Sequence, residues 1–224
     1  MTILGKIITV AAVALLAIEL SAYAGIPIWK AVLSGILSSL AGVLGVFVMG
    51  AIENGEWGAI SFYGAVLFSP FLYFLIAKLL RIPIGEYLDI CSIGTCILLC
   101  IQKIRCWRFE CCKGRIIGVD AVTGVKIRIP SQLIEFTAGL IIGIVLLIML
   151  KKGKYRGTIY FRFMIIYGSV RFFLNLLRDT SPFIWILPAG NFWSIISVAL
   201  GLILLYISKR QKPKSAGPVC ENAQ

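Results

Sequence analysis

Seven runs of about 20 predominantly apolar residues, at 4–23, 31–52, 59–80, 86–105, 132–150, 158–177 and 188–207, constrain this chain more than any other feature. Charged residues make up only 14% of the 224, and mean hydropathy is +0.95. A soluble domain of this length has no core large enough to hide that surface, so the solvent for most of the chain is hydrocarbon. Hydrocarbon leaves no water to pair with backbone N–H and C=O groups, which makes the spans helices. Nothing alternates apolar and polar with period two, which argues against a barrel. The expectation is an all-α polytopic integral membrane protein with seven transmembrane helices in one domain, residues 1–208. A polar tail at 209–224, with two prolines, reads as disordered.

Turn residues separate the runs: Gly25-Ile26-Pro27, Asn54-Gly55, Ile82-Pro83, Ile129-Pro130, Lys151 to Lys154, and Ser181-Pro182. Ala22-Tyr23-Ala24 looks like a signal-cleavage site, but Lys6 is the only cation before it and Glu19 interrupts the apolar run, so the first helix is read as uncleaved. Ser38 with Gly42, and Gly139 with Gly143, carry small residues at helical spacing and read as close-packing positions.

The net charge of +12 does not point to nucleic acid, because the cations sit in short loops between apolar runs. There is no His, which removes histidine metal sites and a histidine base. Cys91, Cys96 and Cys100 lie inside an apolar run, so the seven cysteines are not a secreted disulfide framework. Cys106, Cys111 and Cys112 without His make a poor zinc set; metal, disulfide or inert thiols are the alternatives for them.

Seven helices put the ends of the domain on opposite sides. Lys30, Lys78, Arg81, Lys151, Lys152, Lys154, Arg156, Lys209, Arg210, Lys212 and Lys214 collect on one side, which the positive-inside rule makes cytoplasmic. The N-terminus is then outside and the tail cytoplasmic. One segment breaks the rule: residues 103–128 carry seven Lys and Arg on the outer side, five of them between Gln102 and Arg115. Either one helix is miscounted or these cations hold something anionic, and the nearest anion in a bilayer is a lipid phosphate.

The outer helix ends carry the polar residues of the spans: Tyr63-Gly64, Lys103, Gln132 with Glu135, and the face Tyr167, Arg171, Asn175, Arg178, spaced 4, 4 and 3. Arg171, about two turns inside the membrane, is a phosphate-binding candidate by its guanidinium fork, with snorkelling as the alternative.

These residues resemble a known family, the prolipoprotein diacylglyceryl transferases. Its signature G-R-x-G-[NC]-F-x-x-G-x-x-x-G, laid on Gln102 to Gly114, matches Cys106, the aromatic Trp107 and Gly114. H-P-[ST]-Q-L-Y-E corresponds to Ile129 to Glu135, and Y-G-x-x-R-[FI]-x-x-E-x-x-R to Tyr167 to Arg178. S-[FY]-[HY]-G falls at Ser61 to Gly64 and G-Q-x-x-S at Gly190 to Ser194. The departures are Lys103 for Arg, Glu110 for the middle glycine, Cys111 for an acidic residue, and Asn175 for Glu. The family's first-helix tyrosine and second-helix arginine have no counterpart.

The resemblance implies transfer of the diacylglyceryl group of phosphatidylglycerol to the lipobox cysteine of a prolipoprotein signal peptide, in a bacterial cytoplasmic membrane, without metal or cofactor. It implies phosphate stabilisation by Arg171 and Lys103. Tyr63, Gly64, Cys106, Gly114, Gln132, Glu135, Tyr167, Asn175 and Arg178 would contact or brace the substrates. Glu135 and Glu110 are both open as a general base. The alternatives are a weakened family member that binds lipid or signal peptide without transfer, and a small anion or lipid transporter. The transporter needs a polar path through an inner half that, apart from Glu19 and Arg162, reads as dry.

Overall fold

The computed structural model describes residues 3–58, 61–108, 114–120, 125–178, 183–184 and 187–211. Among them are seven α-helices: α1 (Ile3–Ala24), α2 (Ile28–Asn54), α3 (Ser69–Leu80), α4 (Ile84–Arg108), α5 (Ser131–Lys151), α6 (Ile159–Leu176) and α7 (Ala189–Gln211). Five of these, α2, α4, α5, α6 and α7, are long and apolar enough to cross a membrane. The other two apolar stretches, Ala11–Ala24 and Gly64–Leu80, are shorter. The exposed surface confirms the solvent. Leu15, Leu40, Phe71, Leu79, Ile141, Phe173 and Leu202 all face outward, an apolar exterior that only lipid tolerates over so many helices.

The helices pack mainly as neighbours, α6 against α7 and α4 against α5 most extensively. Small residues set the closest approaches. A Cβ at Gly139 would lie 2.9 Å from the Leu99 side chain on α4, and one at Gly168 would lie 2.9 Å from the Ser194 carbonyl on α7. Gly42 faces the Tyr73 hydroxyl and Gly143 faces Cys96, so the small-residue pairs act in packing.

Two local features depart from the sequence reading. The third run, expected as one helix over 59–80, enters through a wide π turn, Gly64–Phe68, before α3 begins. Pro70 explains this: it has no N–H to donate and its ring crowds the preceding turn, so the helix widens ahead of it. Ser69 steadies the junction, its hydroxyl lying 3.1 Å from the Gly64 carbonyl and 3.2 Å from the Ala41 carbonyl, either of which can accept its one proton. The basic segment between α4 and α5 is not a plain loop. It contains an antiparallel hairpin of β1 (Ile116–Val119) and β2 (Lys126–Arg128), and a second, smaller hairpin of β3 (Phe183–Ile184) and β4 (Leu187–Pro188) precedes α7. The tail beyond residue 211, with its expected disorder, lies outside the described residues.

The end of α4 opposite Lys103 holds a carboxylate that the sequence reading passed over. Asp89 on α4 is fully buried. Its Oδ1 accepts the backbone N–H of Ile159 at 2.7 Å and of Tyr160 at 3.3 Å. Its Oδ2 accepts the Gly157 N–H at 2.6 Å and the Tyr23 hydroxyl at 3.2 Å. Thr158 at the start of α6 makes no side-chain cap of its own. Asp89 therefore caps α6 from a different helix and satisfies amides that hydrocarbon would leave bare. Its oxygens are saturated, so it is a fastener rather than part of a polar path. Asp89→Asn replaces one acceptor by an N–H₂ facing backbone N–H groups and should cost about 1.5–3 kcal/mol. The check is thermal or SDS-induced unfolding of the purified protein in detergent, where an unchanged transition would mean that α6 is anchored by other contacts.

Candidate functional site

Four charged side chains meet between α4, α5 and α6. Lys103 lies on the penultimate turn of α4, Glu135 on the second turn of α5, and Arg171 on the C-terminal half of α6. Glu135 is the hub. Its Oε2 accepts Lys103 Nζ at 2.5 Å and also pairs with Arg171 Nη1, while Arg178 Nε lies 3.6 Å from Oε1. Lys103, Glu135 and Arg171 are 5%, 2% and 8% exposed, so these are not solvated surface pairs. Three cations share one carboxylate, which leaves two positive charges in excess.

Glu53, at the end of α2, is within electrostatic reach of Arg171, and its Oε1 accepts the Ser61 hydroxyl at 2.7 Å. Counting it still leaves the cluster one charge positive. An uncompensated cation in this setting is expensive, and an anion entering the site would relieve that cost.

An aromatic wall adjoins the cluster. Tyr167, one turn before Arg171, stacks on Phe163 with centroids 5.6 Å apart and meets Tyr63 edge-on at 6.0 Å. The Ser194 hydroxyl on α7 donates its single proton to the Gly190 carbonyl at 2.7 Å, so in the short contact between Tyr63 and Ser194 the tyrosine is the donor. The Tyr167 hydroxyl is buried and has no hydrogen-bond partner among the described residues.

The β1–β2 segment is stapled to the end of α6. Gly114 forms an isolated bridge with Arg178, the Arg115 N–H donates to the Leu177 carbonyl at 3.1 Å, and Arg115 Nε donates to the Arg178 carbonyl at 3.2 Å. A Cβ at Gly114 would overlap the Ile129 carbonyl, so a larger residue there would lift the segment off the site.

The structure thus unites Lys103, Glu135, Arg171 and Arg178, sets Tyr63 against Tyr167, and places Gly114 beside Arg178. Asn175 is buried one turn beyond Arg171 and packs on Gly190. Cys106 and Gln132 are buried on the same helix ends as Lys103 and Glu135. Gly64 stands apart: a Cβ there would overlap the Gly45 carbonyl of α2, so its role is helix contact. Glu110, Cys111 and Cys112 lie outside the described residues. Glu53 and Ser194 are members of the site that the sequence reading did not select. Glu53 falls just past the apolar run at 31–52, and Ser194 closes the match to G-Q-x-x-S without being named as a site residue.

Fold and site together define a multi-pass helical membrane protein with a buried, net-cationic cluster gathered at one end of its bundle. The model of the prolipoprotein diacylglyceryl transferase family matches residues 47–207, a span that contains every residue of the cluster, and the chain belongs to that family. The phosphatidylglycerol–prolipoprotein diacylglyceryl transferase of Finegoldia magna is 27% identical over 180 residues, covering 75% of this chain and 68% of the relative. That of Ehrlichia ruminantium is 28% identical over 174 residues, covering 68% and 64%. That of Clostridioides difficile is 27% identical over 177 residues, covering 73% and 67%. The chain spans about two thirds of the length of these curated relatives.

Proposed function

We propose that this chain transfers the diacylglyceryl group of phosphatidylglycerol to the lipobox cysteine thiol of prolipoprotein signal peptides, in the bacterial cytoplasmic membrane. The observation that carries the proposal is the net positive charge of the buried cluster around Glu135, one charge in excess even with Glu53 counted. A lipid phosphodiester supplies the missing anion, and its ester linkage is the bond that must break. The substrate thiol attacks the glyceryl carbon bonded to the phosphate oxygen. A C–S thioether forms, the C–O bond breaks, and glycerol phosphate leaves with the electron pair and takes up the thiol proton.

In this reading Arg171 and Lys103 hold the phosphate and meet the charge that builds on the leaving oxygen. Glu135, with Gln132 beside it, braces the two cations so that they need not reorganise as that charge develops. Tyr63 and Tyr167 form a wall that orients lipid or peptide. The topology that fits has seven crossings, the N-terminus and the cluster outside, and the tail cytoplasmic, as the positive-inside count favours. Expression in cells depleted of their own transferase tests the proposal. Labelled lipid should enter a model prolipoprotein, and an absence of label despite normal accumulation of the protein would refute transfer.

Lys103 in place of Arg and Asn175 in place of Glu favour a second reading, a family member that binds lipid or signal peptide without transferring it. Substitutions at Lys103 separate the two. Lys103→Ala withdraws a charge from the developing anion and should lower turnover by about 10²–10³. Lys103→Arg should preserve or raise it. Cys106→Ser should be tolerated, because the attacking thiol belongs to the substrate. Normal transfer by Lys103→Ala beside a dead Cys106→Ser would replace the phosphate clamp with a mechanism based on this chain's own thiols.

A further inference from the structure

We propose that the β1–β2 hairpin is an interfacial anchor that lies in the lipid headgroup layer, with Val125 and Ile127 against the acyl boundary and Lys126 among anionic headgroups. The contact lies outside the charged cluster and does not depend on transfer chemistry.

The hairpin is rooted where the helices leave the hydrocarbon. Gly114 bridges Arg178, and the Arg115 N–H donates to the Leu177 carbonyl, just past the end of α6. The Ile129 N–H donates to the Arg115 carbonyl at 3.1 Å, and α5 begins at Ser131. Both strand roots are therefore fixed to the ends of helices long and apolar enough to cross a membrane. Trp57, just beyond α2, and Trp107, in the last turn of α4, are 82% and 71% exposed at this same end of the bundle. Exposed tryptophans at helix ends mark the boundary between acyl chains and water.

From these roots the hairpin presents bare apolar side chains. Gly118 pairs with Ile127 and Val119 with Lys126, and the Asp120 N–H donates to the Val125 carbonyl at 3.0 Å. Side chains alternate along a strand, so Val125 and Ile127 share one face with Gly118, and Lys126 and Arg128 share the other. Val125 is 62% exposed and Ile127 49%, and the glycine opposite Ile127 gives it no cover. Val119 on the second face is 58% exposed, and Ile117, the extra residue where the register shifts, 66%. Two strands alone are marginal in water, and four bare β-branched side chains gain nothing there. Asp120, at the far end of the apolar face, is half-buried and already engaged within the protein.

Charge identifies the cover. The described part of the segment, Gly114 to Asp120 and Val125 to Arg128, carries Arg115, Lys126 and Arg128 against the single acid Asp120. Lys126 and Arg115 are exposed, while Arg128 donates to the Gly114 carbonyl at 3.2 Å. Val125-Lys126-Ile127-Arg128 is the strand counterpart of an interfacial amphipathic helix, apolar on one side and cationic on the other. A lipid surface with anionic headgroups answers both faces at once: the acyl boundary takes Val125 and Ile127, and phosphates take Lys126. An extended peptide added to a free strand edge would pair backbone groups and leave the apolar face bare, so it is the poorer occupant.

The full-length protein in nanodiscs tests this, in phosphatidylcholine alone and in phosphatidylcholine with phosphatidylserine, an anionic lipid that the transferase reading does not consume. A benzoylphenylalanine photocrosslinker at position 127 should capture lipid, identified by mass spectrometry, with or without an added lipobox peptide. Hydrogen exchange of the strand amides should slow by about fivefold when phosphatidylserine is present, the scale of one cation at an anionic surface. Lys126→Gln should abolish that difference and Lys126→Arg should keep it, with exchange in α5 unchanged in both as the check on folding. Capture at position 127 of peptide alone, or of nothing, overturns the proposal. So does exchange that is indifferent to phosphatidylserine, or a Lys126→Gln variant that responds to it as the wild type does.

Discussion

Arg171→Lys should abolish most diacylglyceryl transfer, by about 10²–10³ in turnover, while the protein still accumulates in the membrane. The substitution keeps the charge, so its effect isolates geometry. Arg171 engages Glu135 through Nη1, and its Nε is buried without a hydrogen-bond partner among the described residues. A planar guanidinium can hold Glu135 with one edge and offer the rest of its fork to a phosphate oxygen. A lysine ammonium is a point charge on a thinner stem, and once drawn to Glu135 it has no rigid second donor to aim. The measurement is turnover in vesicles of phosphatidylglycerol with a lipobox peptide, alongside membrane yield. Near wild-type turnover would mean that Arg171 serves Glu135 and the membrane interface but not the reaction.

Glu135→Gln should produce the largest loss of stability at the site, about 3–5 kcal/mol, the cost of breaking a buried charge pair from one side. The amide keeps the shape but leaves Lys103, Arg171 and Arg178 facing one another with no counter-charge. Adding Lys103→Met removes one of the repelling cations, so the double variant should regain part of what the single variant lost. That coupling distinguishes electrostatic repulsion from simple misfitting of the glutamine. Thermal unfolding in detergent reads both. A Glu135→Gln protein as stable as the wild type would show that the cations are already neutralised by another group, and the charge excess would no longer argue for a lipid anion.

The sequence made the helical half of the site legible because it lies on single elements. Tyr167, Arg171 and Asn175 recur at a spacing of 4, and that spacing alone puts them on one face of α6, whereas Arg178, expected on the same face, lies two residues past the helix end and is bridged to Gly114. Spacing cannot say that Lys103 and Glu135, from α4 and α5, converge on the same face. The family resemblance supplied that expectation, and packing realises it. Asp89 escaped notice for a related reason. It reads as one acid near the start of an apolar run, and its value comes from amides of α6 roughly 70 residues away, a tertiary cap that no local capping pattern announces. The hairpin at Ile116–Val119 and Lys126–Arg128 was hidden by its charge. Lys is depleted in strands, and the cations of the segment drew it into a loop reading. The π turn at Gly64–Phe68 follows from Pro70, whose effect on a helix entry the apolar count over 59–80 could not register.

The central claim is that this chain moves a diacylglyceryl group rather than only binding one. Purified protein, phosphatidylglycerol vesicles and a synthetic lipobox peptide suffice to test it, with peptide mass and released glycerol phosphate followed together. The account predicts a peptide heavier by one diacylglyceryl group, one glycerol phosphate released for each peptide modified, and loss of both products with Arg171→Lys. Peptide that stays unmodified while phosphatidylglycerol remains bound and intact would contradict it.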